Sequence, residues 1–421
     1  MSCLEPLPAG WQFITVEEIA TEFRYGTSAK TSAENKGVPV LRMGNISSLG
    51  EINFDDLKYL PVGHPDLAET MLQEGDLLFN RTNSFELVGK SAVYSGLPTP
   101  CSFASYLIRV RLGPRCSPKY LAFALNSHIG RTWIKGVVSQ QVGQANVNGT
   151  KLRSFRFPLP PIDEQRRIVG EIEKQFTRID AAVSGLCTVE AKLRRFCAKV
   201  LERAAAGKPG WATRKLGDLA SEIRNGIAAK PTEAEGLPIL RISSVRPMKV
   251  NYDQVRFLPK STKHEYERYL LRAGDLLFTR YNGNPEFVGV AGVLRTEEQL
   301  VYPDKLIRLR LPDDSPVSPD FLEIAVNSGQ SRKFLRSRVR TTAGQAGISG
   351  ADIKACPVAF PPSHTQQAEL VQEVQRALTQ ANATAATVAT NIRRAERLRS
   401  GILKLAFEGH LVVQEKGVIH A

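Results

Sequence analysis

The stretch GDLLFNRTN, Gly75 to Asn83, recurs as GDLLFTRYN, Gly274 to Asn282, with seven of nine letters unchanged. The copying extends outward on both sides. GVPVLRMGNI (Gly37 to Ile46) returns as GLPILRISSV (Gly236 to Val245), and SPKYLAFALNS (Ser117 to Ser127) as SPDFLEIAVNS (Ser318 to Ser328). VGQANVNGTKLRSFRFPLPPIDEQ (Val142 to Gln165) is answered by AGQAGISGADIKACPVAFPPSHTQQ (Ala343 to Gln367). The offset drifts between 198 and 201, so a few short insertions separate the copies. A period near two hundred excludes a solenoid of short units. One large module is used twice.

The 421 residues suffice for several properly buried cores. Apolar content of 42% and charged content of 23% are those of an ordinary soluble globular chain. No apolar run approaches the roughly 18 residues that cross a membrane, and the N-terminus MSCLEPLPAGW carries no secretory pattern. The six cysteines, Cys3 among them, show no C-x-x-C spacing, so reduced thiols in a cytoplasmic protein are expected. The formal charge is +14 and the pI about 9.6, which invites a polyanion. The excess is +3 over residues 1–162 (16 basic, 13 acidic) and +3 over 163–208 (10 against 7). It is +6 over 209–363 (23 against 17) and +2 over 364–421 (7 against 5), so both copies share it. A solvated basic surface is the plain alternative.

Each half reads as a mixed segment and then a long helix. The runs GDLLF, SYLIRVRL and KLIRLRL have strand character, and YLAFALNSHIGRTWI has helical character. After LPPIDEQ and FPPSHTQQ, long glycine-poor helices are predicted. Phe176, Ile179, Val183, Leu186, Leu193, Cys197 and Val200 recur three and four apart, with Glu190 as the misfit. Val371, Val374, Leu378, Ala381, Ala385, Val388, Ile392 and Ala395 repeat the spacing. This is a coiled-coil seam, and the simplest partner for each helix is the other. Ala204 to Ala206 lie beyond most of the seam, so a four-residue insertion there is expected to be tolerated.

The order module, PLPP-x-x-EQ, long helix, module, FPP-x-x-x-QQ, long helix resembles the specificity subunit of type I restriction–modification enzymes. GVPVLRMGNI, GDLLFNRTN, the PLPP segment, their second copies and the helix ends VLERAAAGK and ILKLAFEGHL carry the resemblance over nearly the whole chain. Two small departures are AAAG at the first helix end, where AFxG is usual, and SHTQQ where EQ is usual. The resemblance implies an α/β fold of mixed α+β recognition modules with two long helices. It implies a two-fold pseudo-symmetric repeat with an antiparallel coiled-coil spacer. The expected parts are target recognition domains at 1–162 and 209–363, helical spacers at 163–208 and 364–411, and a tail at 412–421. Each domain would read one half of a bipartite site on double-stranded DNA. The helices would dock two modification subunits, which supply S-adenosylmethionine and methylate adenine N6, and motor–nuclease subunits would join for cleavage. This chain itself would bind no cofactor, metal or membrane.

On that reading the kept letters are scaffold or phosphate contacts, which carry no sequence information. Arg81 with Arg280 and Asn83 with Asn282 are candidates for the latter. The letters that change, Thr82, Ser84, Phe85 and Glu86 against Tyr281, Gly283, Asn284, Pro285 and Glu286, are candidates to face bases. A turn or an ion pair between Asp76 and Arg81 is the alternative. Lys30 with Lys230 and Arg42 with Arg241 are further matched basic candidates, with surface duty as the alternative. Gln140, Gln141, Gln144 and Gln345 suit adenine or loop capping. Arg332, Lys333, Arg336, Arg338 and Arg340 read as a phosphate-facing helix edge or a solvated face.

Catalytic patterns are missing from the sequence. Gly89-Lys90-Ser91 lacks the first glycine of a phosphate-binding loop, and the second copy reads FVGVAG. The proline pairs lack the preceding Asn or Asp of an adenine methyltransferase, and no glycine-rich cofactor loop accompanies them. The six histidines have no metal spacing. A non-catalytic DNA-recognition subunit is therefore expected. The rival readings are a self-sufficient DNA methyltransferase and a coiled-coil adapter that binds no nucleic acid.

Overall fold

A computed structural model describes residues 7–141, 144–232, 234–259, 265–342 and 344–413. The chain forms two compact units, residues 1–186 with 390–421, and residues 187–389.

In the first unit the repeated stretch is the inner strand Leu77–Asn80 of a four-stranded antiparallel sheet. Its neighbours are Leu107–Leu112 and Ser91–Val93, and Ala20–Tyr25 completes the sheet. A strand alternates its side chains between faces, and here both faces are covered. Leu77 and Phe79 enter a core with Ile108, Val110, Tyr120 and Leu121. Leu78 enters a second core with Leu41, Tyr94, Phe103 and Leu107. The second unit repeats this, Leu276 and Phe278 on one side and Leu277 on the other. Double burial explains why LLF is written twice without change. Gly75 and Gly274 open the strand at φ +89° and +90°, where a side chain would be strained.

The aspartate of the stretch is scaffold as well. Asp76 is 2% exposed, accepts the Gln73 N–H at 2.8 Å and pairs with Arg111 Nε at 2.8 Å. Asp275 accepts the Arg272 N–H at 2.9 Å and pairs with Arg310 Nε at 2.7 Å. The partner is thus a strand arginine, not Arg81. Beside each pair a second arginine is buried: Arg109 donates to Glu22 at 2.7 Å and to the Met71 carbonyl at 2.7 Å. Arg308 binds Glu222 and the Leu270 carbonyl in the same way.

The segment read as one helical run at YLAFALNSHIGRTWI is two helices, Pro118–Asn126 and His128–Val137. Ser127 leaves the helical region at ψ 177° and its side chain accepts the Ile129 N–H at 3.2 Å, capping the second helix.

The long helices run over Ile162–Ala204 and His364–Phe407. In the first unit Ile168, Val169 and Ile172 share a core with Leu403, Ala406 and Phe407. In the second, Ala204 shares a core with Val371 and Val374. The start of one helix therefore meets the end of the other, an antiparallel pairing within each unit. Seam positions Val374, Ala381 and Val388 are buried at 1–5% exposure. Arg399, unnoticed in the sequence, also lies in the seam, ion-paired to Asp180 with its guanidinium 5.1 Å over the Phe176 ring. One expectation fails. Ala204 is 6% exposed in the second core, and Ser328 Oγ donates to the Leu201 carbonyl at 3.1 Å. The first helix therefore ends inside a module, and an insertion at 204–206 would break packing.

The five described cysteines are free thiols, and Cys3 lies outside the described residues. No helix among the described residues is long and apolar enough to cross a membrane.

Candidate nucleic-acid interface

Directly after the buried strand, each chain copy emerges onto a small three-stranded antiparallel ribbon. In the first unit it is Thr82–Asn83, Gln144–Asn146 and Ser139–Gln141; in the second, Tyr281–Asn282, Gln345–Gly347 and Arg340–Thr342. Of the two letters that differ between the copies of the opening stretch, Thr82 against Tyr281 stands on this ribbon and Asn80 against Thr279 ends the buried strand; the changes after Asn83 and Asn282 fall in the loop that follows.

Arg81 and Arg280 occupy the same place. Each donates one Nη1 hydrogen bond to a carbonyl, Ser105 at 3.4 Å and Asp304 at 3.3 Å. Each leaves a buried Nε unpartnered. Each guanidinium lies over a tyrosine ring, Tyr25 at 5.0 Å and Tyr281 at 4.7 Å. Half-buried cations with unused donors suit an anionic ligand. Asn83 and Asn282 spend their Oδ1 atoms on turns, accepting the N–H of Ser84 at 2.8 Å and of Asn284 at 3.0 Å. Asn284 in turn accepts the Glu286 N–H at 3.0 Å. These asparagines keep side-chain donors free of the turns.

The loop after each ribbon strand is pinned from behind. Arg131 donates to the Val88 and Phe85 carbonyls at 2.6 and 3.0 Å, and Arg332 to the Val288 and Glu286 carbonyls at 2.8 and 2.6 Å. Burial pushes the Arg332 guanidinium down to about 10. Arg336 is ion-paired to Glu286. The predicted phosphate-facing edge of helix Gly329–Ser337 thus divides. Arg332 turns inward because loop carbonyls need donors, Arg336 is neutralised, and Arg338 and Arg340 stand exposed.

In the second unit Arg280, Tyr281, Arg338, Arg340 and Gln345 line one pocket. The other basic candidates lie off the ribbons. Lys30 and Lys230 are exposed on loops, Arg42 is held by Asp56 at 2.9 Å, and the Arg241 N–H is capped by Ser244 Oγ at 3.1 Å. Gln144 and Gln345 are exposed on the ribbons; the side chains of Gln140 and Gln141 lie outside the described residues. Ser139, Asn146 and Lys151, also at the ribbon, were not singled out from the sequence. Comparison of the two copies at an offset of 201 pairs them with Arg340, Gly347 and Asp352 and would have found them.

Residues 8–182 match the family model described as the type I restriction modification DNA specificity domain. The chain is 34% identical over 430 residues to the EcoKI specificity subunit of Escherichia coli strain K12, covering 97% of this chain and 90% of that one. This chain belongs to the type I restriction enzyme specificity subunits. It is also 28% identical over 428 residues to the StySPI specificity subunit of Salmonella potsdam, again covering 97% of this chain and 90% of the other. The fold agrees with a solved chain from a study of type I R-M complex assembly, at a TM-score of 0.72 and 18% identity, covering 96% and 100%. The HsdS subunit of Thermoanaerobacter tengcongensis gives 0.53 at 19% identity, covering 96% and 98%. In this specificity subunit the two ribbons are the matched surfaces on which exposed polar residues differ while the scaffold beneath is the same.

Proposed function

We propose that this specificity subunit is the non-catalytic DNA-reading component of a type I restriction–modification complex, with each ribbon-bearing module reading one half of a bipartite, asymmetric site. The observation that carries the reading is the pair of ribbons: one scaffold built twice, surfaced differently. Two half-sites of unlike sequence require that combination. The expected recognition domains are 1–162 and 209–363, joined by the helical spacers. The helices set the gap between half-sites and dock two adenine-N6 methyltransferase subunits, through which motor–nuclease subunits join. S-adenosylmethionine binds the partners rather than this chain. The candidate DNA contacts are Arg81, Thr82, Asn83 and Ser84 in one module and Arg280, Tyr281, Asn282 and Asn284 in the other. Lys30, Arg42, Lys230 and Arg241 join them as outlying candidates, with Arg42 the weakest because Asp56 already neutralises it.

Co-expression with modification subunits followed by mapping of methylated adenines tests the proposal. The expected result is one bipartite motif with a fixed gap, together with DNA binding that weakens steeply with salt. Methyl transfer by the isolated chain, or binding that ignores salt, would overturn it.

A further inference from the structure

The two ribbons share a backbone but not a surface, and the differences are physically coupled. In the first unit Asn146 Nδ2 donates to Thr82 Oγ1 at 2.7 Å, and Lys151 Nζ donates to Ser139 Oγ at 2.6 Å. The second unit has Gly347 and Tyr281 in place of Asn146 and Thr82. A Cβ on Gly347 would lie 2.6 Å from the Tyr281 ring, so the glycine is what lets the ring lie across the ribbon. Where the first unit carries a neutral strand residue and a helix cation, Ser139 and Lys151, the second carries Arg340 on the strand and Asp352 on the helix. The cation has moved from the helix onto the reading strand.

Arg340 and its neighbour Arg338 are exposed, and neither is ion-paired among the described residues. Arg338 packs its guanidinium 5.0 Å over the Phe334 ring. Asp352, which lines the same pocket, spends Oδ2 on the Ser349 N–H at 3.1 Å and its hydroxyl at 2.5 Å. It sits behind the two arginines as a fixed negative charge without consuming their donors. Arg280, by contrast, is anchored as Arg81 is anchored, so it carries nothing particular to one half.

Resting on the half-site reading above, we propose that Arg340, with Arg338 beside it, is a specificity-determining residue of the second module that reads guanine in the DNA major groove. A phosphate contact would be needed equally by both modules, whereas this pair of arginines exists in one of them. The planar guanidinium fork donates two parallel hydrogen bonds to guanine O6 and N7 in a fixed geometry, whereas a lysine ammonium reaches them only as a flexible point donor and a serine hydroxyl has a single proton to give. Arg280 and Arg81 serve the DNA backbone in both.

The test uses the complex with co-expressed modification subunits, comparing wild type with Arg340→Ala, Arg340→Lys and Arg280→Ala by mapping methylated adenines. The wild-type motif is expected to hold a G·C pair in the half-site assigned to the second module. Arg340→Ala and Arg340→Lys should each relax that one position roughly ten- to hundredfold and leave the other half-site unchanged. Arg280→Ala should weaken methylation of all sites alike, with the motif intact. An unchanged motif in Arg340→Ala, relaxation cured by lysine, or a second half-site without any G·C pair would overturn the proposal while leaving the half-site reading in place. A wild-type complex that shows no bipartite motif would overturn that reading itself.

Discussion

Gln165 Oε1 accepts the backbone N–H of Ser117 at 2.8 Å from a side chain with no solvent exposure. Its Nε2 donates to the Arg115 and Pro160 carbonyls at 2.9 and 2.8 Å. Gln367 repeats all three contacts, with Ser318, Pro316 and Pro361 at 2.7, 2.8 and 2.9 Å. One amide thus ties the first turn of each long helix to the loop that opens helix Pro118–Asn126 or Pro319–Asn327. Gln165→Leu orphans one donor and two acceptors in a buried place. The expected cost to the first unit is about 2–4 kcal/mol, measurable as a lower urea midpoint, with Gln367→Leu acting on the second unit. A loss below about 0.5 kcal/mol would show that the amide is not the tie.

The buried arginines predict acid lability. Burial pushes the Glu22 carboxyl up, but Arg109, Arg111 and Arg24 outweigh it and hold the group below its ordinary 4.5. Glu222 is held down likewise, with Arg224 and Arg308 overcoming burial. A carboxyl lowered by folding contributes stability that is present above pH 4.5 and disappears as pH falls through the folded value. Wild-type stability should therefore drop with acid below about pH 4.5 more steeply than that of a Glu22→Gln, Glu222→Gln variant. Parallel curves would refute the assignment. At neutral pH, Asp76→Asn should cost about 3–5 kcal/mol, since it removes the buried carboxylate that faces both Arg111 and Arg109 and leaves the two guanidiniums to share Glu22.

Lys90 makes the opposite case. Burial, with the like charge of Arg131, pushes its ammonium down to about 8 from 10.5, at a position where the second copy has buried Val290. A lowered lysine means that the unfolded chain binds more protons between about pH 8 and 10.5, so stability should rise with pH across that window. Lys90→Val should stabilise the first unit by about 1–3 kcal/mol at pH 7 and flatten the rise. An unchanged thermal midpoint at pH 7 would count against a desolvated ammonium.

How far these features were legible depends on whether a pattern or a single partner encodes them. The alternation of Leu77, Leu78 and Phe79 and the three-four spacing of the seam are periodic, and they announce strand and rod before any contact is known. Arg109 and Arg308 look in sequence like solvent residues of an alternating strand, yet they are buried on carboxylates 87 and 86 positions away. Gln165 was visible as part of a signature, but its job depends on the Arg115 carbonyl and the Ser117 N–H presented by a loop some fifty residues earlier. Arg332 belonged to an obvious basic run and still turned inward, because two loop carbonyls required donors. The candidate site divided along the same line. Arg81, Thr82 and Tyr281 were found because the copies could be compared next to an identical stretch. Ser139 and Lys151 were not: they stand beside single identical letters only, Val138 with Val339 and Gly149 with Gly350, rather than beside a long identical stretch.

The last prediction concerns the proposed spacer. Residues 204–206 are unsuitable for lengthening it, since Ala204 is core and Ala205 packs against the same cluster. A length change has to fall where both helices are mostly solvent-exposed and has to be made in both, because an antiparallel pair lengthened on one side loses register. Seven residues placed after Gly185 and seven after Ala389 meet these conditions, and Gly185 has no neighbouring atom for an added side chain to strike. A heptad preserves the seam phase and adds about 10 Å at 1.5 Å per residue. Along a duplex at about 3.4 Å per base pair that is roughly three base pairs. The variant complex should methylate the same two half-sites at a gap longer by about three. An insertion in the first helix alone should abolish sequence-specific methylation rather than shift it. If the doubly lengthened complex is active at the original gap, the helices do not measure the DNA.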